Sequence, residues 1–176
     1  QGDTHILIAA DSTGDGLEIR ALTADSDFDP DAALSTAAHL FQIQHNRAGL
    51  ADAVAGHPQL QAALSPVIGL PLLRAPDLFE PLICAVIEQQ ISWRAALKAQ
   101  HWLMGWAGEG LTYQGEWWPA FPSAARLAAM THDELLPLKI THKRIDLVRS
   151  IAQAAVDGAL NLDLAHLDEP AQLSAL

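Results

Sequence analysis

Apolar residues first occur in two short strand-like runs and then recur with a helical period. Residues 5–10 and 17–22 are the two runs, and a turn-rich segment of Asp, Ser, Thr and Gly separates them. This arrangement predicts a β-hairpin. From residue 31 the apolar positions share one helical face, and shorter apolar patches follow at 50–54 and 60–64. The pattern therefore predicts a small β portion followed by helices.

The most apolar predicted helix ends in two adjacent amides. Phe79, Ile83 and Val86 fall on one helical face, and Gln90 continues the same spacing. A polar residue at the end of a core stripe is a local conflict typical of a functional site. In the alternative interpretation, the carboxamides of Gln89 and Gln90 bond to backbone groups at the helix ends. Both interpretations remain open at this point.

Helix starts and stops are well marked. The predicted N-terminal caps each have a short oxygen-bearing side chain before an apolar-periodic run: Asp77, Ser92, Thr131 and Thr141. Glu80 and Glu134 each follow such a cap by three residues and predict capping pairs. Gly158 is expected to end a helix that runs from about residue 142, with a buried stripe made of Ile145, Val148, Ile151, Ala152 and Ala155.

Four tryptophans and four glycines lie between residues 102 and 118. The glycines predict a long loop there, and the indole rings are expected to pack onto the core. Base-stacking platforms are the alternative interpretation.

The single cysteine, Cys84, lies among apolar residues, which predicts a buried thiol with no nucleophilic role.

The net charge of −11 opposes binding to phosphates, but the acids are unevenly distributed. Residues 1–31 carry eight acids and one base, so the remainder is only mildly acidic at −4. Within that remainder, four cations cluster around a predicted helix start: Lys139, Lys143, Arg144 and Arg149. Backbone amides at such a start can also face a phosphate, although a solvated basic face is the alternative. The eight histidines show no metal-ligand spacing.

Three segments, in order, resemble the helical core of the helix-hairpin-helix DNA glycosylases of the 3-methyladenine DNA glycosylase II type. The first runs from Asp77-x-Phe-Glu to Gln-Gln-Ile-Ser92 and on to Ala95-Ala96. The second covers residues 121–135 and the third residues 138–158. The resemblance implies a mainly α fold, an orthogonal helical bundle, preceded by a β-hairpin remnant of an N-terminal α+β domain. The expected domains are residues 1–30 and 31–176.

This resemblance also implies a function and a set of site residues. The expected activity is DNA repair, in which an alkylated base is flipped out of double-stranded DNA and its N-glycosidic bond is hydrolysed. A monomer without metal or cofactor is implied, located in the cytoplasm and nucleoid-associated in a bacterium; secretion and membrane spans are not predicted. The expected DNA-binding residues are Gln89, Gln90, Ile91, Ser92, Lys143 and Arg144. Gln90 matches the wedge position, Ile91 braces the loop and Ser92 caps the next helix.

One family element is not matched. The resemblance implies a Gly-x-Gly hairpin between two helices, then an aromatic pocket residue and a catalytic Asp about one helix later. We therefore expect a fragment cut at both ends, with the catalytic Asp beyond Leu176, and an inactive 176-residue chain. The alternative function is a non-catalytic helical module that binds a protein or other partner, which the net charge and the Trp-rich segment favour.

Overall fold

The fold was determined as a computed structural model, which describes residues 5–13, 16–24, 28–42, 48–66 and 73–160. The chain divides into two compact units. One unit combines the residues up to Asp29 with those from Asp77 onward, and the other is Pro30–Pro76. The predicted division into residues 1–30 and 31–176 stays a prediction.

The predicted hairpin is present near the N-terminus. Strands β1 (Ile6–Thr13) and β2 (Gly16–Ala24) pair antiparallel, with a register shift between Leu7 and Ile8. The strands are longer than the apolar runs because cross-strand pairs continue into the polar residues next to the turn. Within the second run, the Arg20 guanidinium donates to the Asp11 carboxylate at 2.7 Å and lies 3.7 Å from Glu18.

The Pro30–Pro76 unit contains three helices, in agreement with the helical periodicity predicted from residue 31. They are α1 (Pro30–Leu40), α2 (Ala48–Val54) and α3 (Pro58–Leu64). Proline occupies the first position of α1 and α3, where its missing N–H costs no helical hydrogen bond. Ala37 and Val54 are buried.

The larger unit is mainly helical, as predicted. Its elements after the first hairpin are α4 (Phe79–Glu88), α5 (Trp93–Ala107), β3 (Gly110–Tyr113), β4 (Glu116–Pro119), α6 (Ala124–Ala129), α7 (His132–Leu135), a 3₁₀ turn (Leu136–Leu138) and α8 (His142–Val156). Helix α8 packs against α4, α6 and α7. The completely buried side chains include Ile83, Ile87, Leu103, Leu127, Leu135, Ile145 and Val148. Burial of each such side chain stabilises the fold by about 1.5–3 kcal/mol.

The segment from 102 to 118 differs from the predicted loop. Its first part belongs to α5, which ends at Gly108 with a left-handed φ of 72°. Strands β3 and β4 then form a hairpin whose turn residues, Gln114 and Gly115, have φ values of 52° and 82°. Two successive left-handed residues make a tight hairpin turn. Gly108 therefore marks the end of α5 and Gly115 the hairpin turn, and the segment is not an irregular loop.

The β3–β4 hairpin is closed at its base by polar bonds. The backbone N–H of Ala120 donates to the Glu109 carbonyl at 3.0 Å. The Glu109 carboxylate accepts hydrogen bonds from the backbone N–H of Ser123 and from its hydroxyl, the latter at 2.8 Å. The two ends of the hairpin are therefore held together at the junction with α5 and α6.

Among the described helices, none combines the length and the apolar character that crossing a bilayer requires.

Candidate functional site

The candidate site is built on α4, whose buried face follows the prediction. Its start does not, because the N-cap residue is Leu78 instead of Asp77 and Glu80 makes no capping bond. The Asp77 carboxylate accepts a hydrogen bond from the Phe79 backbone N–H at 2.8 Å, which satisfies one of the first free amides of the helix. Phe79, Ile83 and Val86 are buried. The predicted stripe ends there, because α4 stops at Glu88 and Gln90 lies outside the helix. The expectation that Gln90 continues the helical face is therefore wrong.

Gln89 and Gln90 form the turn between α4 and α5. Gln89 is extended, with φ −54° and ψ 129°, and Gln90 has a left-handed φ of 56°. Such a conformation costs a residue with a Cβ atom about 1–2 kcal/mol. Both side chains are exposed, and neither carboxamide bonds to another of the described residues. The alternative in which the two amides satisfy helix ends is thus not what the structure shows.

Ser92 caps α5 as predicted. Its backbone is extended, and its hydroxyl accepts a hydrogen bond from the Ala95 N–H at 3.3 Å. The Ser92 carbonyl accepts from the Ala96 N–H at 3.0 Å. Ile91 is half-buried, and its N–H lies 3.4 Å from the Glu88 carbonyl. The turn thus has a fixed base, and the Gln89 and Gln90 side chains project from it.

The stretch of sequence that begins at this turn is cationic, unlike the chain as a whole. No Asp or Glu occurs between Gln89 and Gly108, although the chain has 21 acids and 10 Lys and Arg residues. Arg94 and Lys98 lie in this stretch, and both are exposed. Glu88, just before it, accepts a hydrogen bond from the Gln100 carboxamide at 2.8 Å. An anionic ligand would meet little repulsion here.

The other predicted site residues begin α8. Lys143 is exposed and Arg144 is half-buried. Thr141 is the N-cap residue, as predicted, but its side chain makes no capping bond; its carbonyl accepts the Arg144 N–H at 2.9 Å. Arg149, from the same basic cluster, is not part of a free basic face, because its Nε donates to the Met130 carbonyl at 2.9 Å. The six predicted residues thus form two groups, on helices α4 and α5 and on α8.

A histidine pair near the start of α8 was not predicted. His132 Nδ1 lies 2.8 Å from an Asp146 carboxylate oxygen, and His132 Nε2 lies 2.7 Å from His142 Nδ1. Both histidines are first residues of helices, and His142 and Asp146 are four residues apart, which was the available sequence signal. In the described part of the chain no cluster of His, Cys, Asp and Glu has the arrangement of a metal site.

The half-buried face of α4 disfavours charge. Burial raises the pKa of Glu80, and the negative charge of Asp77 raises it further. Burial, with the charges of Glu80 and Glu88, raises the pKa of Cys84 to about 11. At neutral pH the thiol therefore stays protonated, in agreement with the prediction that Cys84 is no nucleophile.

Comparison with curated proteins finds a similar DNA repair enzyme. No family model matches the chain. The DNA-3-methyladenine glycosylase of Bacillus subtilis (strain 168) is 26% identical over 121 residues, which are 69% of this chain and 40% of that protein. The chain thus spans less than half the length of this relative.

Solved structures of DNA glycosylases share the fold. MBOgg1 in complex with a low affinity DNA ligand has a TM-score of 0.70 at 18% identity, over 88% of this chain and 50% of that one. The 3-methyladenine DNA glycosylase from Archaeoglobus fulgidus has a TM-score of 0.67 at 19% identity, over 85% of this chain and 51% of that one. The apo 8-oxoguanine glycosylase/lyase of Clostridium acetobutylicum has a TM-score of 0.70 at 18% identity, over 96% of this chain and 56% of that one. The resemblance seen in the sequence is confirmed: the chain is similar in sequence to a DNA-3-methyladenine glycosylase and shares the fold of these solved glycosylase structures.

Proposed function

We propose that this chain is part of a DNA repair glycosylase that flips an alkylated base out of duplex DNA and hydrolyses its N-glycosidic bond. The observation that carries the proposal is the exposed Gln89–Gln90 turn, whose carboxamides project from a fixed base between two packed helices. The Bacillus subtilis and Archaeoglobus fulgidus relatives, both 3-methyladenine DNA glycosylases by name, favour alkylated bases as the substrate class. Such an enzyme would act on chromosomal DNA, in the cytoplasm of a bacterium.

The Gln89–Gln90 turn suits the physical problem of base flipping. A base inside the stack is inaccessible, so the enzyme must extrude it, and the vacated space must be filled. Side chains that enter the minor groove and separate base steps perform this task in other DNA-bending proteins. Gln90 is the proposed wedge, because its exposed carboxamide bonds to none of the described residues and its left-handed backbone lies in the turn outside both helices. Ile91 and Ser92 hold the backbone that carries it.

Phosphate contacts would come from the start of α8. The exposed Lys143 and the half-buried Arg144 lie in the first turn, where several backbone N–H groups lack helical partners. Contacts of this kind position a protein on DNA without reading its sequence. The proposal therefore separates two roles, with Lys143 and Arg144 holding the backbone and Gln90 occupying the gap.

Bond cleavage needs a group that the sequence does not supply in a recognisable position. Alkylation makes the base cationic and a better leaving group, and a nearby carboxylate would stabilise the oxocarbenium-like sugar as the bond breaks. No carboxylate of this sequence matches the catalytic Asp of the family. We expect the purified 176-residue chain to bind lesion-like DNA and to release no base from methylated duplex.

Replacement of Gln90 tests the proposal. Gln90→Ala removes the carboxamide but retains the Cβ atom, so we expect about tenfold weaker binding to a duplex that contains an abasic-site analogue, because the gap is no longer filled. Fluorescence anisotropy with labelled duplex measures the change. Gln114→Ala is the matched control, since Gln114 is also an exposed glutamine with a left-handed φ, at the tip of the β3–β4 hairpin.

One result would contradict the wedge assignment, and another would contradict the expectation that the purified chain releases no base. If the wild-type chain and Gln90→Ala bound the abasic duplex equally well, Gln90 would not be the wedge. Base release by the purified chain would show that catalysis uses groups other than the family Asp.

A further inference from the structure

Trp93 is an exposed aromatic residue with no evident structural purpose. Its exposed fraction is 66%, the highest among the described tryptophans. The indole of Trp106, by comparison, stacks on that of Trp102 with ring centres 5.7 Å apart and planes at 15°. Trp117 lies across Gly110, with its Cζ2 atom 3.0 Å from the point that a Cβ atom of Gly110 would occupy. Leaving a large apolar ring in water forfeits the stabilisation that its burial would give.

The position of Trp93 brings its ring to the candidate site. Trp93 is the first residue of α5 and follows Gln90 by three residues. The Cα–Cβ bonds of a helix tilt toward its N-terminus, so the side chain covers the turn that precedes its own Cα. The indole therefore lies at the end of α5 that carries the Gln89–Gln90 turn.

The immediate surroundings of Trp93 favour nucleic acid over a protein partner. The neighbouring side chains of Gln89, Gln90, Ser92 and Arg94 are polar and exposed, so the ring is not the centre of an apolar patch. The exposed Arg94 follows Trp93 directly, and the nearest acid before the ring is Glu88, whose carboxylate accepts a hydrogen bond from Gln100. A stacking surface flanked by cations is the combination that binds exposed bases and their phosphates.

We infer that Trp93 is a second DNA contact beside Gln90, and that its indole stacks on the face of a base that becomes exposed when the flipped nucleotide leaves the duplex. The inference rests on the proposed function and extends it. Gln90 occupies the gap, and Trp93 covers a base surface that water would otherwise reach. Stacking of this kind requires an open step in the duplex, so it favours damaged over intact DNA.

The experiment compares Trp93→Ala and Trp93→Phe with Trp106→Ala in the purified 176-residue chain. Trp106 is the matched control, because it lies on the same helix and is half exposed. Affinities are measured for a duplex with an abasic-site analogue and for the intact duplex of the same sequence. We expect Trp93→Ala to weaken binding to the abasic duplex about tenfold, Trp93→Phe to weaken it less than about threefold, and Trp106→Ala to leave it unchanged.

Tryptophan fluorescence gives a second readout that does not depend on the alanine variant folding. Stacking on a base quenches indole emission, so the abasic duplex should quench the wild-type chain. Trp93→Phe should remove most of that quenching, whereas Trp106→Phe should retain it. Helical circular dichroism of each variant shows whether it is folded.

The outcomes separate the inference from the proposed function. Unchanged affinity and quenching in the Trp93 variants, together with weaker binding by Gln90→Ala, would overturn the inference alone. Equal loss of affinity for abasic and intact duplex would make Trp93 a general backbone contact and would also overturn it. A wild-type chain that does not distinguish the two duplexes would overturn both.

Discussion

Gln90 adopts a backbone conformation that glycine would occupy without strain. A left-handed φ of 56° in a residue with a long side chain persists only if the surrounding structure enforces it. Here the end of α4 and the Ser92 cap of α5 leave a turn of only a few residues to connect the helices. Retention of glutamine at this position is understandable if the carboxamide has a task that glycine cannot perform.

Gln90→Gly should therefore separate stability from binding. Glycine relieves the left-handed strain of about 1–2 kcal/mol but adds about 0.5–1 kcal/mol of backbone entropy to the unfolded chain. We expect the free energy of unfolding to rise by about 0.5 kcal/mol while affinity for the abasic duplex falls. Urea denaturation and anisotropy titration measure the two quantities.

Gln114→Gly is the control for this pair of effects. Gln114 has a similar φ of 52°, so its replacement should bring a similar gain in stability with no loss of DNA affinity. A loss of stability in Gln90→Gly would mean that the carboxamide supports the turn itself.

At the level of elements, helix ends are held by side chains on both sides. Thr131 and Glu134 form the predicted capping box, in which each side chain bonds to the other residue's backbone. The C-terminal ends are held by arginines from other elements. Arg126 Nε donates to the Ala107 carbonyl at 2.8 Å, and Arg149 does the same for Met130. These cations meet the negative ends of the α5 and α6 dipoles.

The fold should respond oppositely to neutralisation of Glu134, in the capping box, and of the half-buried Glu80. Hydrogen bonds from the backbone and side chain of Thr131 lower the pKa of Glu134, so its carboxylate stabilises the fold above the ordinary value of 4.5, and that stability is lost as the pH falls. Burial, with the Asp77 charge second, raises the pKa of Glu80, so its protonated form stabilises the fold below 4.5, and that stability is lost as the pH rises. We expect Glu134→Gln to lower Tm at pH 7 and Glu80→Gln to raise it.

Comparing the Tm of each variant with that of the wild-type chain at pH 4 and below checks both expectations. Both glutamates become protonated on acidification, so the Tm difference between each variant and the wild-type chain should shrink. Thermal unfolding followed by circular dichroism measures it. A Glu80→Gln variant less stable than wild type at pH 7 would show that the ionised carboxylate has a partner in the fold.

Features set by neighbouring residues were predictable from the sequence, and features set by distant contacts were not. Ser92 and Thr131 bond to backbone groups three residues away, so their spacing alone indicated the caps. The His132–His142 pair joins residues ten positions apart and requires the α7–α8 corner. The exposure of Trp93 likewise depends on which face of α5 meets the core. The left-handed φ of Gln90 carried no sequence signal, because it arises from the way the two helices meet.

For the whole molecule, the distribution of charge matters more than its sum. Eight acids lie in residues 1–31, whereas the stretch from Gln89 to Gly108 has none. Arg20, in the acidic part, pairs with Asp11 and Glu18, which raise its pKa further. An acidic chain can therefore present a local cationic surface to DNA, and the long-range repulsion would be screened beyond about 8 Å at physiological salt.

The salt dependence of DNA affinity tests whether this uneven distribution of charge provides phosphate contacts. If Lys143 and Arg144 contact phosphates, Lys143→Gln and Arg144→Gln should each reduce the slope of log affinity against log salt concentration by about 1. Arg20→Gln is the control and should leave the slope unchanged, because that cation is already paired. An affinity of the wild-type chain for DNA that is independent of salt would favour the alternative of a helical module that binds a protein partner.

The closed base of the β3–β4 hairpin separates its tip from the ends of the neighbouring helices. Glu109 ties the entrance of the hairpin to its exit through Ala120 and Ser123, close to the ends of α5 and α6, whereas the tip lies at the far end of the hairpin. The tip at Gln114 and Gly115 is accordingly a permissive place in the larger unit to graft a dye or an affinity peptide. A label placed at this tip would lie away from the Gln90 turn in sequence and would leave the Glu109 closure in place.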